Sequence, residues 1–347
     1  MLRASVADLR GLTGSAYPEA PRLASERSDA KLSGMPLARI AALGHHQPKH
    51  VMTNDDLSVL VDTTDEWIRQ RTGIATRHIA HAESVTDLAA QAAAKALASS
   101  GLAPEDVGMV VVATCSAIDR CPSIAAQVAG RLGIPAAVAF DLNNGCAGFT
   151  TALATADHAV RAGAAGAALV IGAEKMSDLT DWTDRSTCVL LGDGAGAAVI
   201  TGSGGLDGIG PVVWGSDPTR GHAVRLSGDW HPLFRQEGRE VYRWATTELV
   251  GLARLTCERA GVTPAELGAV VTHQANLRII DALVGKLGAT NAVIARDVVD
   301  SGNTSAASIP LALSKLAELG EVEPGAPVLL FSFGGGLSWA GQVVACP

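Results

Sequence analysis

Apolar positions along this chain fall into two patterns. Short unbroken runs rich in Val, Leu, Ile and Ala recur at 108–114, 136–140, 167–172, 267–271 and 327–331. Runs of that length, bounded by Gly, Pro or polar residues, predict strands buried on both faces. Between them lie Ala-rich stretches at 87–99 and 147–161, whose length and propensity predict helices. Alternation of the two predicts an α/β layered fold with largely parallel sheets. Patterning begins at 37–44. The preceding residues are rich in Arg, Ser, Ala and Gly, carry Asp8, Glu19, Glu26 and Asp29, and hold no apolar core of a secretory signal. Those acids also weaken a reading as a transit peptide. Residues 1–36 are therefore expected to be a disordered extension, with Met35 as an alternative start.

The chain also repeats itself. The segment 101–113 (Gly-Leu-Ala-Pro-Glu-Asp-Val-Gly-Met-Val-Val-Val-Ala) matches 261–273 (Gly-Val-Thr-Pro-Ala-Glu-Leu-Gly-Ala-Val-Val-Thr-His), 160 positions on. The triplet 145–147 matches 302–304, 157 positions on, and the Gly-rich 192–197 matches 334–339, 142 on. Three matches in one order predict two copies of one α/β unit. The expected division falls near 202–205, giving an N-terminal half, 37–205, and a C-terminal half, 206–347. On this alignment His273 stands at the strand end matching Ala113, and Asn303 at the turn matching Cys146. Gly335 stands where the first copy has Asp193. Corresponding turns related by a pseudo-twofold axis would meet at one seam, at strand ends where α/β folds place active sites.

Composition narrows the function. The chain has 347 residues, 48% hydrophobic and 18% charged, with a net charge of −8 and only 4% aromatics. An acidic chain poor in aromatic rings is a poor nucleic-acid binder. No apolar run reaches the roughly 18 residues that span a membrane. The six Cys (115, 121, 146, 188, 257 and 346) form no Cys-x-x-Cys pair and lie near no His at zinc spacing, so neither a structural metal nor a disulfide framework is expected. Dispersed thiols suit a reducing, cytoplasmic setting.

Candidate chemistry gathers at the matched turns. Cys146 lies between small residues, after a predicted strand and just before a predicted helix. The N–H groups and dipole of a helix N-terminus favour a thiolate, so a lowered thiol pKa is expected there. His273 ends a strand, Asn303 lies in a turn leading into a helix, and the glycines at 334–336 follow another strand. Taken singly, an inert buried Cys, a structural His, an N-cap Asn and a tight turn would account for them. His45, His46, His50, His78 and His81 lie in polar stretches and read as surface residues. The loop at 192–196 lacks the Lys-Ser/Thr of a phosphate-binding loop and reads as a turn and close packing.

Together the motifs resemble the signature set of β-ketoacyl-acyl-carrier-protein synthase III. They are Asn-Gly-Cys-Ala-Gly-Phe at 144–149, Gly-Asp-Gly-Ala-Gly-Ala at 192–197, His-Gln-Ala-Asn at 273–276, Gly-Asn-Thr-Ser-Ala-Ala-Ser-Ile-Pro at 302–310 and Phe-Gly-Gly-Gly-Leu-Ser-Trp at 333–339. Residues 62–74 resemble that family's N-terminal motif. The resemblance runs from about 38 to 347. It implies the thiolase-like fold, two duplicated α/β halves in five α-β-α-β-α layers, and a homodimer. It implies a catalytic triad of Cys146, His273 and Asn303. Cys146 would capture an acyl group from acyl-CoA, and the N–H groups of Cys146 and Gly335 would form the oxyanion hole. His273 and Asn303 would donate to the thioester oxygen of malonyl-acyl-carrier-protein as it loses CO₂, and no cofactor would be needed.

The resemblance further implies that Trp67 and Arg185 sandwich the adenine of CoA, with Thr63, Arg71 and Asn276 nearby. Arg243 and Arg278 would dock the acidic carrier protein. Tyr242 would stand near the pantetheine tunnel, and Phe333 would close the catalytic floor beside the primer pocket. Cys121 takes a place where straight-chain members have a Phe that caps the primer pocket across the dimer interface. The smaller residue implies a roomier pocket for branched or longer primers. Asn143 and Asn144 also depart from the small residues common before the nucleophile. Other readings are an acyltransferase, a priming synthase of secondary metabolism, an inactive partner subunit and a cysteine hydrolase. Degradative thiolases are disfavoured because the C-terminal Gly motif runs on as Leu-Ser-Trp at 337–339, without a second catalytic Cys. Plant-type polyketide synthases are disfavoured by the absence of a Gly-Phe-Gly-Pro-Gly turn.

Overall fold

The computed structural model describes residues 37–119, 121–203, 208–228 and 231–347. The expected extension at 1–36 and residues 204 and 205 of the expected boundary lie outside the described residues. Strand β1 (Leu37–His46) opens the fold. A small ribbon, β2 (Val51–Thr53) and β3 (Thr76–His78), encloses α1 (Asn54–Ser58) and α2 (Asp65–Thr72). Then come α3 (Val85–Ser100), β4 (Met109–Ala113), α4 (Ile124–Arg131), β5 (Val138–Leu142), α5 (Gly148–Arg161), β6 (Ala167–Lys175) and β7 (Asp193–Ser203). The second half runs through β8 (Val213–Ser216), the ribbon β9 (Val224–Ser227) and β10 (Leu233–Gln236), α6 (Gly238–Thr247), α7 (Leu249–Arg259), β11 (Ala269–Thr272) and α8 (Leu277–Leu287). It closes with β12 (Val293–Ile294), α9 (Val298–Ser301), α10 (Ser308–Glu318), β13 (Pro327–Gly334) and β14 (Ser338–Ala345). Most expected elements fall where the apolar pattern put them; the strand expected at 136–140 lies two residues later, as β5.

One sheet has the order β1-β7-β6-β4-β5 and the other β8-β14-β13-β11-β12. In the first, β4 pairs in parallel with β5 and β6, and β7 pairs antiparallel with β6 and β1. In the second, β11 pairs in parallel with β12 and β13, and β14 pairs antiparallel with β13 and β8. The two sheets are one topology built twice. Between them lie α5 and α10: Phe149 and Leu153, Ile309 and Leu313 share a core with Val111, Val170, Val271 and Leu330. The small residues of α3 let it lie close on the outer face of the first sheet, through Leu88, Ala92 and Ala96. Helices α6, α7 and α8 cover the second sheet through Trp244, Ala253 and Leu283. The result is a thiolase-like α-β-α-β-α sandwich, and the described residues belong to one compact unit.

The repeat is more regular than its sequence matches. Gly101 and Gly261 both end helices with left-handed φ values of 72° and 73°, and each precedes a single 3₁₀ turn, Pro104–Asp106 or Pro264–Glu266. The spacing of 160 continues into the central helices. The 3₁₀ turn Gly145–Ala147 precedes α5 at Gly148, and Ser305–Ala307 precedes α10 at Ser308. Gly145 and Ser305 share φ values of 49° and 48°. The match of Cys146 with Asn303 is thereby corrected: Asn303 pairs with Asn143, and Cys146 with Ala306. Both Asn residues make the same turn, Oδ1 accepting from the N–H two residues on, at 3.2 Å for Gly145 and 2.9 Å for Ser305. Glycine identity at 145 and 302 had outweighed backbone conformation. The third match shifts as well. Ala168 faces Ile200 and Val328 faces Val344, so Asp193 corresponds to Leu337 and not to Gly335. A long excursion between β6 and β7, absent between β13 and β14, moves that register.

Helix α10 packs so closely on β7 that a Cβ added at Gly196 would stand 2.4 Å from the Leu311 nitrogen and 2.5 Å from the Pro310 carbonyl carbon. Backbone of that kind cannot yield cheaply. Gly196→Ala is expected to cost about 1–3 kcal/mol of stability through overpacking. Gly202→Ala, on the same strand where an added Cβ meets nothing within 4 Å, is expected to change stability by less than about 0.5 kcal/mol. Urea unfolding of both variants checks the pair.

Candidate active site

Three turns meet at Cys146. Its own turn, Gly145–Ala147, enters α5 and packs against the Ser305–Ala307 turn that enters α10. The turn between β13 and β14 lies against the Cys146 turn. An added Cβ at Gly334 would stand 2.6 Å from Cys146 Cβ and 2.9 Å from its Sγ, so only glycine lets this turn approach. The N–H groups of Gly335 and of Cys146 itself face the sulfur. Ser305 Oγ donates to Cys146 Sγ at 3.6 Å.

The other two triad candidates are fixed from the second half. His273 follows β11 and is buried, with its ring 5.5 Å from and edge-on to that of Phe333. Its Nδ1 lies 2.8 Å from Ser308 Oγ. That oxygen accepts the Gln274 N–H at 3.3 Å, which leaves the Ser308 proton free to point at Nδ1. With Nδ1 accepting in this way, the imidazole proton sits on Nε2, the tautomer that suits a donor role. Asn303 is held by an exchange with the excursion after β6: its N–H donates to the Leu190 carbonyl at 2.8 Å, and its carbonyl accepts from Gly192 at 3.1 Å. Because Oδ1 accepts the Ser305 N–H, the Nδ2 donor is turned the other way.

Burial dominates the electrostatics. The Cys146 thiol is pushed up to about 11, by loss of water first, with the Glu174 carboxylate acting in the same sense; hydrogen bonds from Ser305, Gly335 and its own backbone oppose the rise. This runs against the expectation of a lowered thiol: at this half-buried, crowded sulfur, loss of water exceeds the helix N-terminal donors. Burial pushes His273 down to about 3, so the imidazole is neutral. The resting pair is therefore thiol and imidazole, not thiolate and imidazolium. Behind the site, fully buried Glu174 accepts from Ser116 Oγ at 2.5 Å, from Thr114 Oγ1 at 3.1 Å and from Cys115 Sγ at 3.3 Å.

A cavity of about 380 Å³ opens at the sulfur, lined among others by Cys115, Asn144, Met176, Leu226 and Phe234. The apolar liners come from the excursion after β6 and the β9–β10 ribbon, which carry no motif. Only the fold could reveal them. Asn144 is fixed by donating to Thr151 Oγ1 at 2.9 Å. None of the expected pocket residues Cys121, Phe333 and Tyr242 lines this cavity. Phe333 is fully buried, packed edge-on against His273 and Trp244. Tyr242 is 37% exposed on α6, with the Arg278 guanidinium 5.5 Å from its ring. Cys121 is exposed in the loop before α4.

The expected CoA residues do come together. Trp67 on α2 has the guanidinium groups of Arg71 and Arg185 at 4.9 and 4.8 Å from its ring. Arg185 also donates to the Asp62 carbonyl at 2.7 Å. The expected adenine slot is thus closed by Arg185 itself, which gains a cation–π contact there. Asn276 caps α8, accepting from the Arg278 N–H, and donates to the Arg71 carbonyl at 3.0 Å. Thr63 Oγ1 is buried with no hydrogen-bond partner among the described residues. Arg243 and Arg278 are exposed on α6 and α8. Among the histidines read as surface, His45, His46 and His78 prove half-buried and hydrogen-bonded to Ser314, Glu83 and the Pro48 carbonyl.

Comparison with known proteins agrees with this architecture. Residues 140–218 match the family model for 3-oxoacyl-[acyl-carrier-protein (ACP)] synthase III, and residues 257–346 match the model for its C-terminal part. The chain is 66% identical over 313 residues to β-ketoacyl-[acyl-carrier-protein] synthase III 2 of Streptomyces avermitilis, covering 89% of this chain and 99% of that one. Its fold superposes with a TM-score of 0.88 on the priming β-ketosynthase of the R1128 polyketide biosynthetic pathway, at 40% identity over 90% of this chain and 97% of that chain. The TM-score is 0.86 for 3-oxoacyl-[acyl-carrier-protein] synthase III of Aquifex aeolicus, at 40% identity over 89% and 99%. With a relative this similar matched over nearly its whole length, the chain belongs to the β-ketoacyl-[acyl-carrier-protein] synthase III family.

Proposed function

We propose that this protein starts acyl chains: Cys146 takes an acyl group from acyl-CoA and passes it to the carbanion formed from malonyl-acyl-carrier-protein. The observation that carries this reading is the convergence of donors from both halves on the Cys146 sulfur, the Cys146 and Gly335 N–H groups and Ser305 Oγ at 3.6 Å, beside a cavity of about 380 Å³. In the first step the Cys146 sulfur bonds to the acyl carbon, the carbon–sulfur bond to CoA breaks, and the thiol proton leaves with CoA. The N–H groups of Cys146 and Gly335 hold the oxyanion that forms on the way. In the second step the malonyl carboxylate leaves as CO₂, and the charge passes to the thioester oxygen. A neutral His273 can donate Nε2–H to that oxygen at any physiological pH, and Asn303 Nδ2 donates beside it. The carbanion then attacks the acyl carbon, and Cys146 regains a proton as the 3-oxoacyl product departs.

Thr63, Trp67, Arg71, Arg185 and Asn276 form the site proposed for the nucleotide end of CoA, with Arg185 swinging from the Trp67 ring to admit adenine. Arg243 and Arg278 are proposed to meet the acidic carrier protein, as local cations on a chain of net charge −8. Strand β5 is the open edge of the first sheet, with Val138 56% exposed. Such an edge is suited to pairing with a second copy, which is the proposed homodimer. In it Cys121 is proposed to reach the partner's primer pocket, its small side chain leaving room for branched or longer chains. Division into halves at 202–205 is retained as a proposal about the duplication. The likeness to a priming ketosynthase favours one second reading, a dedicated priming role outside bulk fatty-acid synthesis. An inactive partner subunit is disfavoured by the presence of Cys146, His273 and Asn303 together. Among the described residues no helix is long and apolar enough to cross a membrane, and a cytoplasmic setting is proposed.

Intact-mass analysis after mixing the protein with a pool of acetyl-, branched- and longer-chain acyl-CoA is expected to show one acyl adduct, absent from Cys146→Ala. Branched or longer adducts are expected to dominate, and Cys121→Phe to shift the selection toward acetyl. No adduct, or the same strict acetyl preference in both proteins, contradicts the reading.

The free enzyme is expected to show a simple pH dependence. With the thiol near 11, the thiolate fraction rises about tenfold per unit from pH 7 to 10, so alkylation of Cys146 by iodoacetamide rises with it. With His273 near 3, no step appears between pH 5 and 8. A plateau setting in near pH 7 would mean a thiolate–imidazolium pair.

A further inference from the structure

Ser305 stands in a conformation that its twin in the first copy reserves for glycine. Gly145 has φ 49° and Ser305 φ 48°; a side chain at such a φ is disfavoured by its own Cβ. Among the described residues Ser305 is the sole non-glycine with positive φ. A strained residue persists where its surroundings fix it and its side chain has a use. The side chain here is 2% exposed and reaches two sulfurs, Cys146 Sγ at 3.6 Å and Cys115 Sγ at 3.7 Å.

A hydroxyl has one proton to give. The Cys115 S–H donates to Glu174 Oε1 at 3.3 Å, so the Cys115 sulfur meets Ser305 as an acceptor. The Ser305 proton is then shared among the two sulfurs and the Glu174 carboxylate and can turn to Cys146 as that sulfur becomes negative. At the same time the Ser305 N–H fixes the amide of Asn303 through Oδ1 at 2.9 Å. Among the described residues, Ser305 alone hydrogen-bonds both the Cys146 sulfur and the Asn303 side chain.

We propose that Ser305 is a further catalytic residue of this site, whose hydroxyl donates to the Cys146 sulfur as it becomes anionic during thioester capture, while its backbone N–H aims Asn303. This rests on reading Cys146 as the nucleophile. Ser305 keeps its proton throughout; the thiol proton leaves on the CoA sulfur. Cys115 and Glu174 serve as the acceptors that hold the hydroxyl in reach between turnovers.

The test uses Ser305→Ala, which removes the hydroxyl, and Ser305→Gly, which removes it and relieves the backbone. Both keep the N–H that holds Asn303. The titratable and charged groups placed around the sulfur are Cys115 after β4, Glu174 on β6 and Arg225 on β9, and all stay in place. Iodoacetamide labelling of the Cys146 peptide at pH 8, read by mass spectrometry, is expected to slow about tenfold in both variants, the size of one hydrogen bond to a charged group. Acyl-adduct formation from acyl-CoA should slow in parallel. Release of CO₂ from malonyl-acyl-carrier-protein, which draws on His273 and Asn303, should stay within about twofold, since the N–H to Asn303 survives. Labelling at the wild-type rate overturns the proposal, and so does a loss of CO₂ release as large as the loss of labelling, which would mark a structural role. Failure of the condensing reading has a different signature: the unmodified protein forms no adduct, while labelling still slows in the variants.

Discussion

A half-buried thiol framed by three turns loses much of the water that would solvate its anion. At Cys146 that loss pushes the thiol up to about 11, and the surrounding structure is arranged around managing the charge that must still appear there. The donors that oppose the rise come from both copies of the fold: the Cys146 backbone from the first, Gly335 and Ser305 from the second. Neither half supplies the set alone. The close approach of Gly334 to Cys146 brings the Gly335 N–H to the sulfur.

Enclosure suits a two-step reaction. A thiol that is protonated at rest is poorly reactive toward stray electrophiles, because the thiolate is the nucleophile. An imidazole kept neutral by burial remains a hydrogen-bond donor without adding a cation beside the sulfur. Charge therefore develops only when a substrate supplies it, against donors already in position. The same enclosure demands close helix packing, since α5 and α10 carry the two turns that frame the sulfur and are clamped between the sheets. That is why glycine sits where α10 crosses β7.

Much of this was legible in the sequence. The alternation of apolar runs and Ala-rich stretches located the central strands and helices, because parallel strands buried on both faces read as continuous apolar segments. The 101–113 and 261–273 match revealed the duplication, and motif spacing brought forward Cys146, His273 and Asn303. What escaped was whatever depends on backbone conformation or on distant elements. Residue identity paired Gly145 with Gly302, yet φ pairs it with Ser305, and with that pairing Asn143 gains a role as the counterpart of Asn303. The thiol was expected low because local sequence reports a helix N-terminus and cannot report burial. Met176, Leu226 and Phe234 reach the cavity from separate ribbons and loops, and no spacing rule links them.

The central claim is that one sulfur, enclosed by both copies, holds the acyl group between capture and carbon–carbon bond formation. Its most direct test is a single-turnover chase. The isolated acyl-enzyme, free of acyl-CoA, is mixed with malonyl-acyl-carrier-protein and followed by intact mass. The account predicts that the acyl mass leaves the Cys146 peptide at the rate at which 3-oxoacyl-acyl-carrier-protein appears, one product and one CO₂ per adduct lost. Persistence of the adduct while product forms, or its loss as free acid or unextended acyl-carrier-protein, would contradict it.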